Sequence, residues 1–288
     1  MPQIFLAIGV LVVSTAPALI RLAQPLPPLT IAAFRVLLAG IVLLLLSGRQ
    51  LKEIKALSRR SLSLLAASGL ALGAHFALWI ASLSLTSTSA SVALVATQPV
   101  FAGLLGVVFL GEGFRRQELW GIGLAGVGCL VLAGGDLGGT SSDALLGDAM
   151  SLAGAITVAA YLLIGRALRQ SVPLLAYLAL VNLVAAGVLF ATGAAIGMEW
   201  SGYGQWDYLA VLFLALGPSV VGHTLINDCV RRVPVHLVSL GILVEPVAAT
   251  LSTWLFFQEV PSIASAVGEA IIVIGIYVGF GLQSKKAE

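Results

Sequence analysis

Glu245 stands near the middle of an otherwise acid-free apolar run, residues 234 to 257. An ionisable group in a run of membrane-spanning length is costly unless it faces a cavity or a partner. The carboxylate therefore reads as a cavity residue with three open roles: holding a substrate ammonium, taking up a coupling proton, or pairing with Arg35. Arg35 lies about a third of the way along another apolar run, where a guanidinium could grip a carboxylate with two parallel hydrogen bonds. An interhelical bond, or snorkelling to the interface, is the plainer reading. His75 and Trp79 are four residues apart and share a helix face, Gln98 could meet that face, and His223 with Asn227 repeat the spacing. A histidine on an apolar face is more often a satisfied structural group than a ligand, so each keeps both readings. Ser14 and Tyr161 could add hydroxyls to the same solute path. The three histidines are scattered and no HExxH occurs, so neither a metal nor a cofactor is expected.

The elements that must position these residues are helices in a bilayer. Of 288 residues 59% are hydrophobic and 10% charged, with mean hydropathy +1.06, against about a quarter charged in soluble domains. Apolar runs predict ten transmembrane helices, at about 3 to 23, 28 to 47, 61 to 84, 88 to 110, 117 to 134, 145 to 167, 173 to 197, 205 to 230, 234 to 257 and 262 to 283. Their continuity excludes a barrel, whose strands alternate. Ala16-Pro17-Ala18 could pass for a signal-peptidase site, but no Lys or Arg precedes it, so the first run is expected to be retained.

This helix count gathers thirteen basic residues on one side: Arg49, Lys52, Lys55, Arg59, Arg60, Arg115, Arg116, Arg166, Arg169, Arg231, Arg232, Lys285 and Lys286. The other side receives only Arg21. Positive loops stay cytoplasmic, so both termini are expected inside, in a bacterial inner membrane. Trp200, Tyr203, Trp206 and Tyr208 read as an outer interfacial belt, with Trp120 on the inner side. Cys129 and Cys229 fall near opposite faces, too far apart for a bridge.

A single shift of 147 residues lays Gln98-Pro99-Val100 over Glu245-Pro246-Val247. It also pairs Ala102 with Ala249, Leu104 with Leu251, Phe109 with Phe256, Glu112 with Glu259, Gly121 with Gly268 and Gly128 with Gly275. Two repeats follow, 3 to 134 and 145 to 283, each of five helices. Five is odd, so the second half enters the membrane inverted. Inverted repeats characterise alternating-access transporters with a midplane site between the halves.

The chain resembles the drug/metabolite transporter superfamily, in its EamA-type members, over nearly its whole length. The resemblance is carried by Ser89-Ala90-Ser91, Gln98-Pro99-Val100-Phe101, Phe109-Leu110-Gly111-Glu112, and Gly121, Gly126 and Gly128, with a looser second copy in Glu245-Pro246-Val247 and Phe256-Phe257-Gln258-Glu259. In that copy Gln258 replaces the glycine, so a differently shaped helix end is expected. Within the superfamily the chain looks most like the YddG-type bacterial amino-acid exporters. That resemblance implies export of aromatic and other neutral amino acids, with drugs or other metabolites as the alternative cargo.

Pro99 and Pro246 should kink the fourth and ninth helices, because proline removes a backbone bond and clashes with the carbonyl four residues earlier. Each kink is either a static bend or a hinge letting helices 3/4 and 8/9 rock as gates. Glu112 and Glu259 are expected to cap helix ends or pair with cations such as Arg115 and Arg116. Gly121, Gly126, Gly128, Gly268 and Gly275 are expected to allow close helix packing. There is no GxxxxGK[ST] loop for ATP, no nucleophile with its base, no selectivity filter and no soluble output domain. A secondary transporter of small solutes is what remains, with no nucleic-acid partner and an open oligomeric state.

Overall fold

A computed structural model describes residues 2–54, 57–111, 113–135, 142–258 and 262–281. Among them ten apolar helical segments follow one another. They are α1a (Pro2–Val13) and α1b (Ala16–Leu22), α2 (Pro28–Ser47), α3 (Arg59–Ser82), α4a (Thr88–Val95) and α4b (Gln98–Leu110), and α5 (Arg116–Gly135). The second set is α6 (Ser142–Leu168), α7 (Leu174–Ala195), α8a (Gln205–Leu214) and α8b (His223–Val230), α9a (Val235–Ile242) and α9b (Val244–Phe257), and α10 (Ile263–Gly281). Seven of the described helices are long and apolar enough to cross a membrane. Glu112 and Glu259 lie outside the described residues.

Local chemistry sets the boundaries. Ser58 and Ser87 accept hydrogen bonds from the Ser61 and Ala90 amides and so cap α3 and α4a. Proline explains the internal breaks. Pro17, Pro99 and Pro246 each fall within three residues of the start of the second half-helix, and Pro218 lies in a widened π-turn, Ala215–Gly222, inside the eighth segment. The kinks expected at Pro99 and Pro246 are thus present, and the first and eighth segments are broken as well.

Packing follows the 147-residue shift. That shift maps α1 to α6, α2 to α7 and α3 to α8. Correspondingly α3 packs on α6 while α8 packs on α1, and α3 packs on α7 while α8 packs on α2. α2 crosses α7, and α5 lies along α10, each helix against its own counterpart. The architecture is therefore all-α, ten helices in a five-plus-five inverted repeat.

At the α5/α10 crossing a Cβ on Gly121 would lie 2.7 Å from the Gly279 Cα, and one on Gly128 would lie 2.6 Å from the Gly268 carbonyl oxygen. Small residues allow this approach where the lipid provides no hydrophobic drive. Gly126 departs from the expectation: a Cβ there meets nothing within 4 Å. The helix end at Gln258 departs too. Its φ of 57° and ψ of 24° nearly repeat the 64° and 22° of Gly111, so both ends turn through the same left-handed residue.

The aromatic belt is partly an internal cluster. Phe34 meets Phe190, Trp200 and Tyr208 edge-on at 5.4, 6.3 and 5.9 Å, and the Tyr208 hydroxyl donates to the Trp200 carbonyl at 2.9 Å. Trp206 and Trp120 remain exposed, as anchors would. Cys129 and Cys229 are buried and unbridged.

Candidate solute-binding site

Three half-helix breaks converge on one cavity. Proline displaces the carbonyl four residues before it, and for Pro17, Pro99 and Pro246 those residues are Val13, Val95 and Ile242, all three of which line the cavity. Unwound backbone within a membrane is tolerated where it borders such a space. The breaks therefore lie beside the cavity.

Of the nine binding residues expected from sequence, seven line this cavity: Arg35, His75, Trp79, Gln98, Tyr161, His223 and Glu245. Ser14 does not, because its hydroxyl turns back to donate to the Val10 carbonyl at 2.8 Å. Asn227 does not either. Its amide donates to the His223 carbonyl one turn earlier at 2.8 Å, and its Oδ1 is buried without a partner behind the lining. Asn182, the counterpart of Arg35, is likewise spent on its own helix, at the Leu178 carbonyl.

Arg35 is fully buried. Its Nε donates to Ser219 Oγ at 2.7 Å, and its guanidinium carbon lies 4.0 Å from the centre of the Phe76 ring. Nη1 and Nη2 have no hydrogen-bond partner. A buried guanidinium with two unanswered nitrogens lacks an anion. Glu245 does not supply it: both side chains line the cavity, yet no ion pair joins them among the described residues.

Both histidines of the lining also pack against aromatic rings. His75 stacks on Trp79 at 5.9 Å and 8°, with Nδ1 3.0 Å from the Gly154 carbonyl, which fixes that nitrogen as the protonated one. His223 meets the Phe76 ring edge-on at 5.7 Å. The remaining wall is apolar, from Val158, Leu162, Ile226 and others. Sequence reasoning missed Phe76 and Ser219. Phe76 adjoins His75 in sequence and was reachable from it, whereas Ser219 follows Pro218, a proline the sequence reading did not single out.

The cavity is small. It holds about 40 Å³, room for a few waters at about 10 to 15 Å³ each and too little for an organic solute. Both ends of the broken helices meet, α4b against α9a and α4a against α9b. A further contact missed from sequence lies beside α9a: His236 Nε2 is 3.2 Å from Glu118 Oε2, with both side chains buried. The same carboxylate oxygen accepts the Arg115 amide at 2.8 Å, capping α5.

The pattern of the EamA-like transporter family matches residues 1–134 and again 145–280. The chain belongs to the EamA-like transporter family. It is thus a multi-pass membrane transporter for a small molecule, and not an enzyme. A relative in Bacillus subtilis (strain 168), an uncharacterized transporter named YetK, is 26% identical over 264 residues, covering 89% of this chain and 79% of its own. A crystal structure 20% identical superposes with TM-score 0.79 over 100% of this chain and 99% of the other, so the two share a fold. The two EamA matches each contain five of the ten helical segments.

Proposed function

We propose that the protein exports amino acids, aromatic and other neutral ones foremost, by alternating access through the Arg35/Glu245 cavity. The observation that carries this reading is the pair of unpartnered guanidinium nitrogens of Arg35 in the same small cavity as the Glu245 carboxylate. A zwitterion answers both: its carboxylate meets Nη1 and Nη2, and its ammonium meets Glu245. Trp79, Phe76 and the aliphatic wall accept an apolar side chain, and Gln98 and Tyr161 add neutral polar contacts. A purely cationic drug would satisfy Glu245 and leave Arg35 facing a like charge.

The halves 3 to 134 and 145 to 283 act as the two moving parts. The hairpins α3/α4 and α8/α9 are the gates, and Pro99 and Pro246 the hinges that let a half-helix swing without unpairing the rest. The basic loops support a reading with both termini on the cytoplasmic side of a bacterial inner membrane, and the export direction rests on the resemblance to amino-acid exporters.

Reconstitution in liposomes tests the reading. Counterflow of aromatic and aliphatic amino acids is expected, with and without a pH gradient to reveal proton coupling. Absence of flux for every amino acid tried would overturn the substrate assignment, and termini labelled from outside would overturn the orientation.

A further inference from the structure

A second and larger cavity, about 370 Å³, is lined by Gln50, Arg169, Ser171, Pro173, Leu174 and Arg231 among others, none of which borders the Arg35/Glu245 site. It forms where α6 and α8 end, beyond the end of α2, and where α7 begins. Three features there point inward with the same sign.

The first is the start of α7. Pro173 is its N-cap and offers no side-chain acceptor, so the opening amides of this 22-residue helix lack an intrahelical partner. Such a terminus attracts anions. The second is Arg169, which is only 4% exposed. Its Nη1 donates to the Val172 carbonyl, while its Nε is buried without a partner. The third is Arg231, on the loop after α8, joined to the first loop by a long contact from Gln170 Nε2 to the Arg231 carbonyl at 3.5 Å.

The plain reading of these arginines is neutralisation of helix C-termini, but other groups do that work. Arg166 answers the Val230 and Val233 carbonyls at 2.8 and 3.2 Å. The facing acid, Asp228, is already within 3.2 Å of Arg232. Burial and then the charge of Arg231 lower the Arg169 pKa from the usual arginine value, with Asp228 opposing. Arg169 is buried with an unpartnered Nε, Arg231 is exposed beside it on the same lining, and together with the helix N-terminus they make the space suited to an oxyanion.

We propose that this cavity is an oxyanion site whose ligand is the phosphate of an anionic phospholipid headgroup. The position favours the lipid. The cavity lies at the ends of the spans, on the face to which the sequence assigns thirteen basic loop residues, which is where headgroup phosphates sit. The proposal is independent of which solute the central cavity carries.

The test uses the full chain in a neutral detergent, with native mass spectrometry and thermal unfolding read against phosphatidylglycerol, phosphatidylcholine and inorganic phosphate. Phosphatidylglycerol is expected to stay bound and raise the unfolding midpoint by a few degrees, and phosphatidylcholine to do neither. Arg231→Gln should weaken retention about tenfold, the worth of one charge-assisted contact. Stabilisation by inorganic phosphate alone, equally sensitive to Arg231→Gln, would assign the site to soluble phosphate. Equal lipid retention by wild type and Arg231→Gln, or no response to either anion, overturns the proposal. Arg169→Gln also removes the bond to the Val172 carbonyl and can fail to fold, so Arg231→Gln carries the test, with Arg169→Lys as the charge-preserving comparison.

Discussion

The guanidinium carbon of Arg35 sits 4.0 Å from the centre of the Phe76 ring, a contact that holds the group in place from one side while Nη1 and Nη2 stay free. Arg35→Lys keeps the charge and loses the planar fork, so affinity for amino acids should fall about tenfold or more. Amines lacking a carboxylate should be unaffected. Ligand-induced thermal stabilisation measures both, and equal losses for the two solute classes would remove Arg35 from carboxylate binding. Phe76→Ala should show a weaker version of the same pattern.

Glu245→Gln tests the other pole of the cavity. Amino-acid flux is expected to fall about ten- to a hundredfold, the loss of one buried charge-assisted hydrogen bond. N-acetylated amino acids, which carry no ammonium, should bind the variant and the wild type alike. Flux and pH dependence both unchanged would exclude Glu245 from binding and from coupling.

Pro99→Ala and Pro246→Ala each restore an amide donor at a break between half-helices. A stiffer α4 or α9 should slow solute exchange several-fold while equilibrium binding is kept. Normal turnover in both variants would make the breaks static features.

Gln258 adopts a left-handed backbone that disfavours side-chain-bearing residues by about 1 kcal/mol. Gln258→Gly should therefore stabilise the protein by about that amount, less the bond from its amide to the Leu255 carbonyl. At the α5/α10 crossing the sign reverses. Gly121→Ala drives a methyl to within 2.7 Å of the Gly279 backbone and should cost about 1 to 3 kcal/mol. Gly126→Ala, with open space around it, should be nearly neutral. Denaturation midpoints of the three variants in one detergent provide the comparison.

Much of the fold is legible from residue order. Apolar length marks each span, and prolines mark where spans break. The shift of 147 forecasts that α3 on α6 repeats as α8 on α1, because equal local sequences bury equal faces. Seven cavity residues were also legible, since a charged or aromatic-polar side chain in an apolar run has few stable places to go. Ser14 and Asn227 show the limit of that logic: a short polar side chain can bond to its own helix and leave the cavity without breaking any rule of composition. The serine cluster makes the same point. Ser82, Ser91 and Ser151 lie within 2.7 to 3.0 Å of one another at one end of α3, α4a and α6. Their counterparts under the shift are Cys229, Val238 and Ile4, which cannot form such a knot.

The sequence by itself determined the number of spans, their inversion and the residues too polar to face lipid, because hydrophobic length and repeat symmetry are properties of the chain read in order. Only the tertiary structure decided that Arg35 rests on Phe76 and Ser219 with two nitrogens free, that Glu118 meets His236, and that the cavity is as small as about 40 Å³. Those outcomes depend on which side chains from distant helices meet and how much room is left between them, and close packing sets both only after the helices have docked.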